Sequence, residues 1–143
     1  MISFGHGAAL LVVSSSMAHL ALYLTEDRGY SAGRAALIAG TVPLFQIVGT
    51  ALGGYLGDRM NKRLIAGIAM VMHGVALLTL AWVERPAAVA AFVVLHGVAW
   101  GVRGPQMQAI RADYFGSTAF ASIMGWSSPV SYTHLTLPTN REV

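Results

Sequence analysis

The stretch AALIAGTVPLFQIVGTALGGYLG, residues 35–57, runs for 23 residues without a charge and is followed at once by Asp58, Arg59, Lys62 and Arg63. About 20 apolar residues, at roughly 1.5 Å rise each, span a hydrocarbon core near 30 Å. Backbone inside lipid must satisfy its own hydrogen bonds, so the stretch reads as a membrane helix and not as a strand. Working outward, residues 1–25, 64–83 and 86–102 also lack Asp, Glu, Lys and Arg, and Tyr114 opens another uncharged run. Residues 1–25 lack the basic start of a secretory signal and exceed its usual apolar core, so they read as a true span.

Composition agrees with this reading. Of 143 residues, 55% are hydrophobic and 10% charged, against about 25% charged in an ordinary soluble domain, which excludes a soluble fold. The formal net charge of +3 comes from nine scattered Lys and Arg residues, which form no stripe for nucleic acid. The chain has no cysteine, and this removes disulfides, thiolate metal sites and a cysteine nucleophile. No cofactor and no enzymatic reaction is implied.

The expected fold is all-α, a polytopic transmembrane helical bundle of four complete spans and the start of a fifth. The spans are placed at about residues 2–24, 32–57, 64–83 and 87–111, with the fifth starting near 120. Ser31 is expected to cap the second helix through its hydroxyl. Pro43 lies inside that helix and removes one ladder bond, and Pro86 suits the opening of the fourth. Residues 113–116 are expected to form the loop after the fourth span. Residues 131–143, SYTHLTLPTNREV, are a Thr-rich polar stretch that resembles the translation of a sequencing-library adapter, and they are set aside from functional reasoning. Residues 1–130 then form a partial transmembrane domain.

With alternating crossings, Arg59, Lys62, Arg63 and Arg111 fall on one side, and Arg28, Arg34 and Arg85 on the other. The tight cluster at 59–63 lies beside the membrane, where basic residues weigh most, so that side and the first residue are expected to be cytoplasmic. Tyr23, Tyr30, Tyr55, Trp82 and Tyr114 fall near helix ends, as an interfacial aromatic belt requires.

GYLGDRMNKR, residues 54–63, resembles the signature loop of the major facilitator superfamily, G-x-L-x-D-R-x-G-R-R/K, which follows the second and eighth helices of that family. Gly54, Leu56, Asp58, Arg59, Lys62 and Arg63 match, and Asn61 replaces the loop glycine. Asparagine tolerates a left-handed backbone better than other non-glycine residues. Gly54 is expected to let a neighbouring helix approach closely. Asp58 can accept from the N-terminus of an adjacent helix and pair with Arg59 or Arg63, so Gly54, Asp58, Arg59, Lys62 and Arg63 together are a candidate conformational latch. The bland reading is a solvated turn whose basic residues only set topology.

A second resemblance, GVRGPQMQAIRADYFG at 101–116, is to the tenth helix and following loop of facilitator-family carriers related to organic-anion and monocarboxylate exchangers. Val93 stands where the family's fourth helix carries an arginine before the glycine at Gly97, which favours correspondence to helices seven to ten. The resemblance implies a partial facilitator fold in a bacterial inner membrane, with a secondary active transporter of a small solute as its function. Its partners would be a small-molecule substrate, the lipid bilayer and another half of the same polypeptide.

Polar stripes mark candidate cavity residues. Ser15, Ser16, His19 and Tyr23 share one face of the first span, and His96, Trp100 and Arg103 share one face of the fourth, with Met107 beyond them. Polar residues on one face of an apolar span fit a water-filled cavity, and equally fit interhelical hydrogen bonding. Arg103 inside a span costs about 2.5–3.5 kcal/mol on insertion scales, so it must meet an anionic substrate, a structural partner or a snorkelling path. Gln46, near Pro43, is a further interior polar residue. Gly49, Gly53 and Gly57, with Gly97 and Gly101, give small-xxx-small spacings that close helix packing explains.

Two competing functions also fit the sequence. His73 and His96 lie at similar depths on consecutive antiparallel helices and could ligate a haem in a membrane electron carrier. A small four-helix exporter acting as a dimer is the other. Alternating access needs two repeats around a midplane site, so the expectation is that these spans are about one third of a twelve-helix protein. Sequencing the locus past both ends tests this: further helices are expected, and a stop codon directly after Pro129 with no upstream helix would contradict it.

Overall fold

The computed structural model describes residues 2–82 and 85–127, with side chains for residues 9–82 and 85–116. Residues 131–143, which carry the adapter resemblance, lie outside the described residues. Four helices follow one another: α1 (Ile2–Glu26), α2 (Ala32–Gly57), α3 (Lys62–Trp82) and α4 (Pro86–Ser127). Each contains a stretch long and apolar enough to cross a membrane. The described residues fall into two compact units, one ending at Ile110 and one beginning at Arg111.

Local chemistry fixes the helix ends of the first unit. Past Glu26 the chain turns through Gly29, whose φ of 67° favours glycine, and the Tyr30 N–H donates to Leu24 O at 2.9 Å. Ser31 stands at the N-cap of α2 as expected but makes no side-chain cap; its carbonyl accepts from Ala35 N–H at 2.9 Å. The side-chain cap occurs at α3 instead, where Asn61 Oδ1 accepts from Arg63 N–H at 2.9 Å. Asn61 therefore starts α3 at Lys62, two residues before the expected position. Among the described residues no non-glycine has positive φ, so Asn61 serves as a cap and not as a left-handed substitute for glycine.

Two apolar clusters form the core of the first unit. Leu20 and Leu24 of α1, Ala35 and Val42 of α2, Ala76 and Leu80 of α3, and Val89, Phe92 and Val93 of α4 form the larger one. Ile65 and Ala69 of α3 with Ala99 and Val102 of α4 form the smaller one. Leu11, Leu37, Ile47 and Val71 are exposed, as lipid-facing apolar residues would be in a membrane span.

The tightest packing joins α2 to α4. A Cβ added at Gly49 would lie 2.9 Å from Val98 Cα, at Gly53 2.9 Å from Val102 Cα, at Gly97 2.7 Å from Val42 O, and at Gly101 2.6 Å from Thr50 N. Glycines of each helix thus face the backbone of the other, and all four small-xxx-small partners among these residues are used. The expected approach at Gly54 falls one residue earlier, at Gly53; an added Cβ at Gly54 meets nothing within 4 Å.

In the second unit α4 stays helical through Asp113, Tyr114 and Phe115 and breaks only at Gly116 (φ 70°, ψ 167°). The expected loop at 113–116 thus contracts to one glycine, and the next helical segment begins directly after it, before residue 120. Polar residues alone do not end a helix; the positive φ that only glycine adopts readily does.

The glycine contact generates a prediction with opposite signs at two sites. Gly101→Ala should destabilise the protein by about 1–3 kcal/mol through overpacking against α2. Gly67→Ala in α3, where nothing lies within 4 Å, should be neutral or stabilise by up to about 1 kcal/mol. Thermal unfolding of both variants in detergent, followed by size-exclusion chromatography, checks this.

Candidate functional site

The α2–α4 contact turns one face of α4 inward. Along it lie Phe92, His96, Arg103 and Gln106, with relative exposures of 0, 0, 2 and 2%. The glycines leave room for polar reach as well as for backbone contact. Gln106 Nε2 donates to Gly53 O at 2.5 Å, and an added Cβ at Gly57 would collide with that same amide. Gln106 is a site residue that the sequence reading missed; the available signal was an amide one turn beyond Arg103 and directly after Pro105.

His96 meets His73 of α3. The two Nδ1 atoms lie 3.1 Å apart, the ring centroids 4.5 Å apart, and the planes cross at 69°. Phe92 stacks on His96 with centroids 4.8 Å apart. The pair sits between the two apolar clusters, next to Ala69 and Ala76 in sequence on one helix and to Phe92 and Ala99 on the other. Rings in direct hydrogen-bond contact leave no gap for a haem, so the electron-carrier alternative fails on geometry.

Of the expected cavity residues, the structure groups His96, Trp100 and Arg103 on α4. Trp100 is half-buried against the larger cluster. The α1 set does not join them. Ser15 and His19 are exposed, and Ser16 is half-buried with its hydroxyl donating to Val12 O at 2.7 Å within its own helix. Tyr23 serves a different contact: its hydroxyl donates to Leu80 O at 3.1 Å and accepts from Arg28 Nε at 2.7 Å. Arg28 also donates to Leu80 O. A cation over carbonyls in the last turn of α3 is favourable to the helix dipole, so Tyr23 and Arg28 act as a C-terminal clasp.

The signature loop is exposed. Asp58 ends α2, its N–H donating to Gly54 O at 3.2 Å. Arg59 lies 3.8 Å over the Tyr55 ring and donates to Tyr55 O at 3.4 Å. Lys62 and Arg63 occupy the first turn of α3, where the helix dipole disfavours positive charge. The side-chain cap from Asn61, whose Oδ1 accepts from Arg63 N–H, satisfies one of the free donors of this turn.

Comparison with known proteins adds the family. The model of the Major Facilitator Superfamily matches residues 2–130. The gentisate transporter of Corynebacterium glutamicum is similar to this chain, with 29% identity over 106 residues that cover 73% of this chain and 23% of that protein. This chain therefore spans less than a quarter of that relative's length. No solved structure matches.

Proposed function

The chain belongs to the major facilitator superfamily, and from that premise we propose that it is part of a secondary active transporter carrying a small organic anion, such as a monocarboxylate, by alternating access. Four helices of membrane-spanning length and apolarity make it a multi-pass integral membrane chain. The reading places it in a bacterial inner membrane with its first residue cytoplasmic, supported by the basic cluster at Arg59, Lys62 and Arg63. Another half of the same polypeptide would complete the two repeats that alternating access requires.

The observation that carries the substrate class is Arg103, 2% exposed on the inward face of α4. A guanidinium enclosed in a span has a planar fork that matches a carboxylate with two hydrogen bonds. Trp100, one turn earlier, offers an apolar wall. Gentisate, named for the relative, is an aromatic carboxylate and fits the same pairing of anion and ring.

The loop at 54–63 is the proposed latch. Asp58 and Arg59 close the cytoplasmic end of α2, and Lys62 and Arg63 open α3, so contacts they make with other helices form in one conformation and break in the other. Asp58→Asn keeps shape and removes charge. A charge-assisted hydrogen bond contributes about 1.5–3 kcal/mol, so transport should slow by roughly tenfold or more while insertion stays intact. Unchanged uptake at equal expression would contradict the latch.

The substrate reading is tested by uptake of labelled anions and neutral solutes in the full-length protein and two variants. Arg103→Lys keeps the charge but loses the fork and should weaken anion uptake by about tenfold; Arg103→Gln should weaken it by about a hundredfold. If all three carry the same neutral compound equally well, Arg103 is structural and the anion assignment fails.

A further inference from the structure

Three arginines gather where α2 and α4 begin. Arg28 lies in the turn between α1 and α2, Arg34 in the first turn of α2, and Arg85 directly before α4, and together with Tyr30, Pro86 and Val89 they line a recess of about 700 Å³. Pro86 and Arg103 are separated by about 25 Å along α4, so this recess is distinct from the site described above. Among the described residues no carboxylate lines it. In the orientation set by the basic cluster at 59–63, these arginines stand on the non-cytoplasmic side, where short loops are normally poor in Lys and Arg. Arg28 has a structural use in the clasp on α3, but Arg34 and Arg85 are exposed, and topology does not account for them.

The recess is built for negative charge. Arg28 is held in place, with Nε donating to the Tyr23 hydroxyl at 2.7 Å, a second nitrogen donating to Leu80 O, and its guanidinium 5.3 Å from the centre of the Tyr23 ring. One of the three charges is therefore fixed before any ligand arrives, which spares the entropy of ordering a long side chain on binding. Because α2 and α4 both start here, and Ser31 gives α2 no side-chain cap, the positive ends of two helices add to the guanidinium charges. Planar guanidinium groups match phosphate oxygens with paired hydrogen bonds.

The recess also continues into the membrane. Tyr30, Pro86 and Val89 line in addition an apolar groove of about 320 Å³ between α2 and α4, whose other walls include Ile38, Phe45, Ala90 and Val94. From Pro86 to Val94 the groove follows α4 for about 12 Å, most of the roughly 15 Å that one leaflet contributes to the hydrocarbon core. Thr41, which also lines it, donates to Leu37 O at 2.7 Å within its own helix and so leaves the wall without an unpaired hydroxyl hydrogen. Ala90 and Val94 are exposed, so the groove is open along its side. Tyr30 stands at the junction of recess and groove, where a ring with one polar end suits the level at which headgroup meets acyl chain. A small free anion would use the arginines and leave the groove empty. Positive charge above and an apolar channel below match an amphiphile.

We propose that recess and groove together seat one anionic phospholipid, with its phosphate among Arg28, Arg34 and Arg85 and one acyl chain between α2 and α4. Seated there, the lipid neutralises three like charges crowded at the helix ends and bridges the starts of α2 and α4. The site requires only that the chain span a membrane, and it is independent of the solute carried.

The test uses the full-length protein, delipidated in detergent and titrated with palmitoyl-oleoyl phosphatidylglycerol or with the zwitterionic phosphatidylcholine of the same chains, with bound lipid counted by native mass spectrometry. An arginine near anionic lipid contributes about fivefold in affinity, so one phosphatidylglycerol should bind at least about tenfold tighter than phosphatidylcholine. Arg34→Gln combined with Arg85→Gln should remove that preference. Val94→Phe, which fills the deep end of the groove, should weaken palmitoyl-oleoyl phosphatidylglycerol at least about tenfold, the effect of displacing about two buried methylenes. The same variant should bind dihexanoyl phosphatidylglycerol as wild type does, because short chains stop before Val94, and a misfolded variant would lose both. Glycerol 3-phosphate and gentisate, added at millimolar concentration, should displace neither lipid. Equal binding of the two headgroups, or a preference that survives the double arginine variant, would overturn the proposal. So would displacement by either free anion, which would mark a site for soluble anions, or unchanged long-chain binding in Val94→Phe, as expected where another helix of the full-length chain fills the groove.

Discussion

The backbone contact between α2 and α4 is the constraint on which the rest of the first unit depends. Gly49 and Gly53 on one helix, with Gly97 and Gly101 on the other, let the two backbones touch where any larger side chain would clash. Helices usually pack with axes about 8–10 Å apart, and glycine pairs bring them closer. Lipid supplies no hydrophobic drive to hold helices together, so dense van der Waals contact of this kind has to supply the association. Its rotational consequence matters as much as its energy. Once Gly97 and Gly101 face α2, the positions around them on α4 are fixed, and His96, Arg103 and Gln106 are carried inward with them.

Enclosing these groups is costly, and the structure offsets the cost locally. Gln106 reaches Gly53 O through the space that Gly57 leaves open. His73 and His96 satisfy each other at Nδ1. Tyr23 and Arg28 close the last turn of α3 at the opposite end of the unit. A polar line through an apolar bundle is expensive to maintain for stability alone, and facilitator carriers need such a line where a solute crosses.

The helices were legible in the sequence because charge is excluded from lipid: the uncharged run at 35–57 gives α2 with its observed C-terminal residue, Gly57. The glycine spacings were legible for the same kind of reason, since a period of four places small residues in one line. The separate expectation at Gly54, taken from the loop motif, failed: the contact sits at Gly53, where the four-residue spacing put it, and not at Gly54. Hydropathy does not report how far a helix is rotated about its axis. That is also why His73 and His96 could be placed at one depth from sequence, while their direct contact could not. Asn61 was read through the family's glycine, and its cap depends on a backbone geometry that residue identity alone leaves open. Periodicity put the serines and histidine of α1 on one stripe but says nothing about which neighbour covers it, and Ser15 and His19 stay exposed.

Glycine packing between α2 and α4 seats Arg103 and His96 inside the protein, and a high-resolution density map of the full-length protein in a lipid nanodisc would reveal that packing. The map should place Gly101 against the backbone of Gln46 and Thr50, with no side-chain layer between the two helices, and His96, Arg103 and Gln106 enclosed by protein. A map with α2 and α4 separated by a layer of side chains, or with Arg103 on the lipid face of α4, would contradict it.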